Sequence, residues 1–369
     1  MKHKLFSTSV ALCAAVCALA QSNSSTVNSY GSGNTATVNQ AGNVNNSNIY
    51  QNGNGNGASA SQTGTSNNGN QNQNGDGNSA WLNQLGDNNI ASQNQNGSWN
   101  SAGINQVGSG NEAYQSQIGS SNTALSLQSG DGNYSSQDQT GYGNQANNGY
   151  SAWWGSYDGQ QGSGNVSTQS QNGNYNNSWN YQVGNNNTST QAQDGSYNYG
   201  YNYQYGSDNW HGINQSGNSN SAWATQYGDE NHSHQLQWGD ANSAGTYIYG
   251  SGNRTEQHVW GSNNWQQIQQ NGNNNIAEQM TGWSRYIVDG TWVYGYYQTD
   301  TESNFNGASA NQFGDDNEAY QFQNGNYNYS YIYQNGSGNQ ATVNQRGDGH
   351  MSWVTQIGNG NVATVTQTN

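Results

Sequence analysis

Amide, small and apolar residues return along this chain at a fixed interval of 11 residues. Each unit follows the pattern N-x-[AS]-x-x-x-Q-x-G-x-x, of which Asn78–Gly86 is a clean copy. The opening asparagine recurs at every eleventh position in the segments 23–144, 165–275 and 306–361, with His350 as its one substitute. A fixed period of this length is typical of stacked supersecondary units and not of a disordered chain rich in asparagine and glutamine.

Each unit is predicted to form a β-strand of about seven residues and a turn of about four, because glycine and asparagine adopt positive φ readily. An 11-residue period also fits a right-handed helical coiled coil, but a glycine in every unit costs roughly 1 kcal/mol in a helix interior. Side chains alternate across a strand, so unit positions 1, 3, 5 and 7 share one face. We predict that this face points inward, because position 3 is Ala, Ser or Gly except at His211, Thr255 and Gln266.

Position 5 adds a second period, because from Ala60 to Gln137 a small or apolar residue alternates with glutamine. One rung therefore takes 22 residues, with one strand in each of two sheets. Amide side chains stacked at the strand spacing of ~4.8 Å can form hydrogen-bonded columns, called ladders below. The predicted core ladders include Asn78, Ala80, Gln84, Asn89, Ala91, Gln95, Asn100, Ala102 and Gln106.

The predicted fold is all-β: a β-solenoid of 11-residue strand-turn units, with two units per 22-residue rung and two facing, parallel, in-register sheets. About 14 rungs at ~4.8 Å each give a stack roughly 65–70 Å tall. It forms one domain at 21–369. Within it we expect regular units at 23–140, 165–280 and 306–369, a degenerate rung at 141–164 and a hairpin-like insertion at 281–305.

Residues 1–20 are predicted to be a secretory signal peptide. Lys2 and Lys4 precede the apolar run Leu5–Val16, and Ala18–Ala20 supplies a small-x-small cleavage pattern. The apolar run is too short for a membrane span, which takes about 20 residues. Both cysteines fall inside this segment, so no disulfide is expected in the mature chain. The formal net charge of −15 gives no basic surface for nucleic acid.

The 22-residue repeat resembles the curlin repeat of curli amyloid subunits, whose pattern is S-x5-Q-x-G-x-x-N-x-A-x3-Q. Residues 67–84 fit this pattern from Gln73 to Gln84, with Asn67 in place of the first serine. The resemblance implies a secreted bacterial subunit that assembles outside the cell into amyloid fibres of the biofilm matrix. It also implies as partners other copies of the chain, other curli subunits, the curli secretion pore and matrix polysaccharide.

Two other readings stay open: a soluble extracellular solenoid that binds glycans, and a nucleator or minor subunit of the fibre. The glycan-binding reading is supported by an outward aromatic ladder, in which aromatic residues recur from rung to rung at positions 4 and 6 of one sheet. Its members are Trp179, Tyr201, Trp223, Tyr181, Tyr203 and Tyr247. Ice binding ranks last, because flat arrays of outward threonine are missing.

The sequence predicts no catalytic site, cofactor or metal. His232, His234, Glu256 and His258 suggest a metal site at first, but they do not supply the closed ligand set that a structural metal needs. The inward His211 is expected to be sensitive to protonation.

The last strand is predicted to be a polymerising edge. Its inward residues Asn361, Ala363, Val365 and Gln367 include no charge, and no proline interrupts the strand. An open row of backbone N–H and C=O groups templates the next strand unless such devices block it. We therefore expect chains to add end to end.

Overall fold

The computed structural model describes residues 22–152, 155–288, 291–298 and 303–369. The predicted signal peptide at 1–20 lies outside these ranges, and so do residues 289–290 of the hairpin-like insertion predicted at 281–305. Among the described residues, no helix is long and apolar enough to cross a membrane.

Strands are numbered along the chain and alternate between two parallel sheets. The first sheet has 15 strands. They are β1 Ser24–Tyr30, β3 Asn46–Asn52, β5 Asn68–Asn74, β7 Ile90–Ser98, β9 Glu112–Ser120, β11 Tyr134–Tyr142, β15 Val166–Asn174, β17 Thr188–Ser196, β19 Trp210–Ser216, β21 His232–Trp238, β23 Arg254–Trp260, β25 Ile276–Thr281, β29 Glu318–Asn324, β31 Gln340–Arg346 and β33 Val362–Thr368.

The second sheet faces the first. Its strands are β2 Thr35–Asn43, β4 Gly57–Thr65, β6 Ser79–Leu85, β8 Ser101–Val107, β10 Thr123–Ser129, β12 Gln145–Ala152, β16 Asn177–Val183, β18 Tyr199–Tyr205, β20 Ser221–Tyr227, β22 Ser243–Tyr249, β24 Trp265–Asn271, β28 Gly307–Phe313, β30 Tyr329–Asn335 and β32 Met351–Ile357. The short strand β14 Gln160–Gln161 also belongs to this sheet, beside β10 and β16. Two excursions leave the stack, one with β13 Gly155–Asp158 and the other with β26 Trp283–Val288 and β27 Thr291–Gln298.

Neighbouring strands of each sheet pair in parallel and in register. In the regular parts each residue lies beside the residue 22 positions later, as Ser79 lies beside Ser101 and Gln84 beside Gln106. The predicted β-solenoid with two in-register sheets is therefore confirmed. Positions 1, 3, 5 and 7 are the buried positions in the interior strands, with Ala102 and Ile104 at 0% exposure.

The position 9 glycine is required by the stacking of the turns. Gly97 has φ +124°, which L side chains rarely adopt, and a Cβ added there would overlap the carbonyl oxygen of Gly119 in the next rung. The last turn residue, position 11, has a left-handed φ even where it is bulky, for example 59° at Trp99 and at Tyr197. Glycine at position 9 thus lets successive turns lie directly on one another.

Both irregular segments are insertions into a continuous stack. In the segment 141–164, β12 supplies the first half of one strand, the chain leaves as an antiparallel excursion, and β14 completes the strand at Gln160. The pairing across it spans 32 residues instead of 22. In the segment 281–305, the chain leaves after Gly282 and returns at Ser303, so that Asn306 stacks on Asn264 at a spacing of 42 residues. The antiparallel pair β26–β27 forms the second excursion.

The apolar core is a thin layer between the sheets. One cluster is centred on Leu82, Ile104 and Ala91, and another on Ile268, Ile332 and Val343. Buried amide side chains separate and line these clusters, so the interior is a mixture of apolar contacts and hydrogen bonds.

Candidate functional site

The asparagine at position 1 holds each turn to the turns above and below it. Asn100 donates from its backbone N–H and from Nδ2 to Oδ1 of Asn78, at 3.0 and 3.1 Å. Asn78 in turn donates from Nδ2 to the carbonyl oxygen of Gly97, at 2.8 Å. This side chain is 1% exposed, and these bonds offset the cost of burying its amide. Asn89 makes the same contacts on the opposite side of the stack.

The glutamine at position 7 connects rungs and also connects the two sheets. Gln84 donates from Nε2 to Oε1 of Gln106 in the next rung, at 2.9 Å, and to the backbone carbonyl of Asn68 in the opposite sheet, at 3.2 Å. Gln95 does the same towards Gln117 and Ser79, both at 2.9 Å. The row is interrupted in the second sheet at Ile248 and in the first sheet at Val259 and Thr281.

Small residues at position 3 leave room for these glutamines. Gln93 reaches the carbonyl of Trp81 and Gln95 reaches that of Ser79, so both amides of β7 bracket Ala80 of β6. Ala91 and Ala102 are likewise buried, at 2% and 0% exposure. A larger side chain at this position would displace the amides from their acceptors. The structure thus places the sequence-predicted core residues in columns of asparagine, alanine and glutamine, three columns in each sheet.

The amide columns have opposite directions along the stack. In the asparagine rows Nδ2 points to the preceding rung, whereas in the glutamine rows Nε2 points to the following rung. The edge at β33 therefore presents the Oδ1 acceptor of Asn361 and the Nε2 donor of Gln367. The edge at β1 and β2 presents the reverse, with the donors of Asn23 and the Oε1 acceptor of Gln40. The two edges are chemically complementary.

Strand β33 is paired on one side only within the described structure, where it lies against β31. Its inward Ala363 and Val365 are partly buried against the apolar cluster, whereas the matching Ala341 and Val343 one rung earlier are 0% exposed. A further strand on this edge would complete the burial of both side chains.

The family model for the curlin associated repeat matches residues 314–347 and 339–368. The C-terminal part of the chain therefore carries curlin associated repeats. The matched segment contains β29 to β33, and the curlin-repeat positions 1, 3, 7 and 9 continue with the same hydrogen bonds through the preceding rungs. No curated protein matches the chain.

The predicted aromatic ladder lies on the outer face of the second sheet. Trp179, Tyr201 and Trp223 are in register one rung apart, and so are Tyr181 and Tyr203. The Tyr181 and Tyr203 ring centroids are 6.4 Å apart, and Tyr247 packs on Trp223 at 4.4 Å. Burial, followed by neighbouring tyrosines, raises the pKa of Tyr201 to about 12. The face is therefore uncharged at neutral pH and largely half-buried, with Tyr247 37% exposed.

The histidines form a polar patch on the outer face of the first sheet. His234 and His258 are 5.4 Å apart between ring centroids, and Glu256 forms an ion pair with Arg254. Burial is the largest cause that lowers the pKa of His234, and burial lowers the pKa of His258 to about 4. In the part of the chain that the structure describes, no group of three or more metal-ligating side chains could hold an ion.

Sequence reasoning missed the burial of this patch. Glu256 and Glu278 occupy outward positions, as expected, yet they are only 7% and 3% exposed. Glu256 lies in β23 and Glu278 in β25, next to the point where β26 leaves the stack. The irregular segment was the only signal in the sequence, and its residues did not indicate that outward side chains near it would be buried.

Proposed function

We propose that this curlin-repeat protein is an extracellular fibre subunit, a curli-type functional amyloid that serves biofilm matrix and cell adhesion. The observation that carries the proposal is the complementarity of the two edges, one with Gln367 Nε2 and Asn361 Oδ1, the other with the reverse set. Each edge offers a second copy the contacts already made between rungs inside one chain. Head-to-tail addition extends the asparagine ladders and the glutamine ladder that begins at Gln40, whereas like edges set donor against donor.

The family and the fold favour a structural protein over an enzyme. Secretion through residues 1–20, passage through a curli secretion pore and assembly outside the cell belong to the same proposal. Its partners are then further copies of this chain, other curli subunits and polysaccharide of the matrix. We assign no cofactor and no metal.

The test changes one backbone donor at the β33 edge. Gln340, at position 2, donates its N–H to Asn361 in the following rung. Because N–H directions alternate along a strand, the N–H of Thr364, at position 4, points away from β31. Thr364→Pro therefore removes a donor from the open side and leaves pairing with β31 in place. Thr364→Ala keeps the donor and is the matched control.

We expect Thr364→Pro to fold and to slow the growth of wild-type seeds when added at a substoichiometric ratio. Thr364→Ala should elongate seeds as the wild type does. Thioflavin fluorescence in a seeded assay measures the rate, and circular dichroism checks the fold. Equal elongation by both variants would show that β33 is not the growing edge. If wild-type chains form no fibres at all, the fibre function itself is wrong.

A further inference from the structure

The outer face of the second sheet carries a groove with a volume of about 340 Å³, away from the edges that fibre growth would use. Trp81 of β6 lines one end and Trp179 of β16 the other. Gly103, Leu125 and Asn147 lie between them, at position 4 of three successive strands. The groove therefore follows the stack axis over four strand spacings, or ~19 Å.

Glycine shapes the first end of this groove. A Cβ added to Gly103 would meet Cε2, Cζ2 and Nε1 of Trp81 at nearly equal distances. The indole of Trp81 therefore lies across the glycine, against the sheet. The side chain is 38% exposed, so an aromatic face is available from the solvent side. Trp223 lies over Gly245 in the same manner, which indicates that a position 4 glycine one rung after a tryptophan fixes this orientation.

The middle of the groove offers hydrogen bonds that the protein itself leaves unused. Asn147 is 4% exposed although it stands on the outer face, and its Nδ2 has no hydrogen-bond partner in the described chain. Burying an amide without a hydrogen-bond partner is unfavourable, so a ligand oxygen that accepted this bond would recover free energy. Ser101, Thr123 and Gln145 add hydroxyl and amide groups along the groove.

Every described residue that lines the groove is uncharged. The net charge of −15 also disfavours a polyanionic ligand. An added peptide strand does not fit, because β8 and β10 already pair with neighbours on both sides and have no free edge. A neutral sugar chain does fit, since each ring has an apolar C–H face for the indole and a rim of hydroxyls for the amides.

We propose that this groove binds a segment of a neutral polysaccharide, with the flat face of a sugar ring on Trp81 and a sugar hydroxyl on Asn147. The site shares Trp179 with the aromatic ladder and differs from the rest of that ladder, because smaller side chains lie at its centre between two tryptophans. Binding does not depend on fibre growth, since the groove belongs to a single chain.

The experiment titrates the full chain with cellohexaose and with laminarihexaose, two neutral glucans, and follows binding by calorimetry and tryptophan fluorescence. Alginate is the anionic comparison. Trp81→Ala should weaken glucan binding about tenfold or more, because the stacking face is lost. Trp353→Ala removes a tryptophan from position 4 of β32 in the same sheet, outside the groove, and should leave affinity unchanged.

Asn147→Ala separates binding from stability. The substitution removes an amide nitrogen with no partner, so thermal stability should not fall, whereas glucan affinity should. A purely structural asparagine would give the opposite result, with lower stability and unchanged affinity. Failure of both glucans to bind would overturn the proposal, as would full affinity in Trp81→Ala. Alginate binding as tightly as the glucans would overturn the assignment to neutral sugars. None of these outcomes depends on whether fibres form.

Discussion

Ala102→Leu tests the packing rule on which the stack depends. Ala102 is 0% exposed and lies between two amides of the facing strand. Gln115 donates to the carbonyl of Gly103 at 2.8 Å, and Gln117 donates to that of Ser101 at 3.0 Å. A leucine side chain must occupy the space that these two amides cross. Ala80 and Ala124 stand in the same relation to their facing glutamines.

The expected cost has two parts. Overpacking a tight core costs about 1–3 kcal/mol, and each displaced amide hydrogen bond adds about 0.5–1.5 kcal/mol. Ala102→Leu should therefore lower the free energy of unfolding by about 2–6 kcal/mol, measured as a lower urea midpoint by circular dichroism. Ser79→Leu, at an exposed position 2, should change it by less than about 0.5 kcal/mol. Equal losses in both variants would refute the assignment of inward and outward faces.

Three further predictions concern the outer faces and the one buried histidine of the interior. Replacing Trp179, Tyr201 and Trp223 together by Ser should leave the β-sheet spectrum intact and weaken lateral association of fibres, and loss of the spectrum would make the ladder structural. Burial lowers the pKa of His211 to about 3, so the unfolded chain takes up its proton first. Stability should be full above pH ~6.5 and fall towards pH 3 by up to ~1.4 kcal/mol per pH unit, and His211→Ser should flatten this part of the urea-midpoint profile. Deleting residues 283–302 joins Gly282 to Ser303 and restores the 22-residue spacing, so the stack should persist while hydrogen exchange rises in β23 and β25; a collapsed β-spectrum would contradict this.

The repeated residues were sufficient to predict the fold, because each performs a local task. Asn78 donates a hydrogen bond to a turn carbonyl, and Ala80 leaves space for the glutamines of the facing strand. Gln84 joins the two sheets, and Gly86 lets one turn lie on the next. These tasks depend on strand alternation and on the rung above, both of which the 11-residue period specifies. The same period placed Trp179 beside Tyr201 on the outer face.

The remaining features depend on contacts between segments that share no period. Glu278 lies in β25, directly before an excursion whose residues follow no repeat, and it is 3% exposed, whereas the sequence alone left this carboxylate on an open face. The groove beside Trp81 was missed for a similar reason. It arises because Gly103, Leu125 and Asn147 are smaller than the tryptophans at either end. The first four residues of this column follow the 22-residue period, but Trp179 lies 32 residues after Asn147, and only the structure places it in the same column.

Both insertions show that a ladder depends on which side chains are neighbours along the stack axis, and not on their separation in the sequence. Gln128 donates to Gln160 at 3.0 Å across a spacing of 32 residues, and Gln270 donates to Gln312 at 2.9 Å across 42. Between adjacent regular rungs the Gln84 to Gln106 distance is 2.9 Å. A hydrogen bond within a ladder thus requires only a matching amide side chain at the same position of the neighbouring strand. A second copy stacked on the edge would meet the same condition, and the physics that accommodates an inserted segment within one chain is the physics that would join two chains.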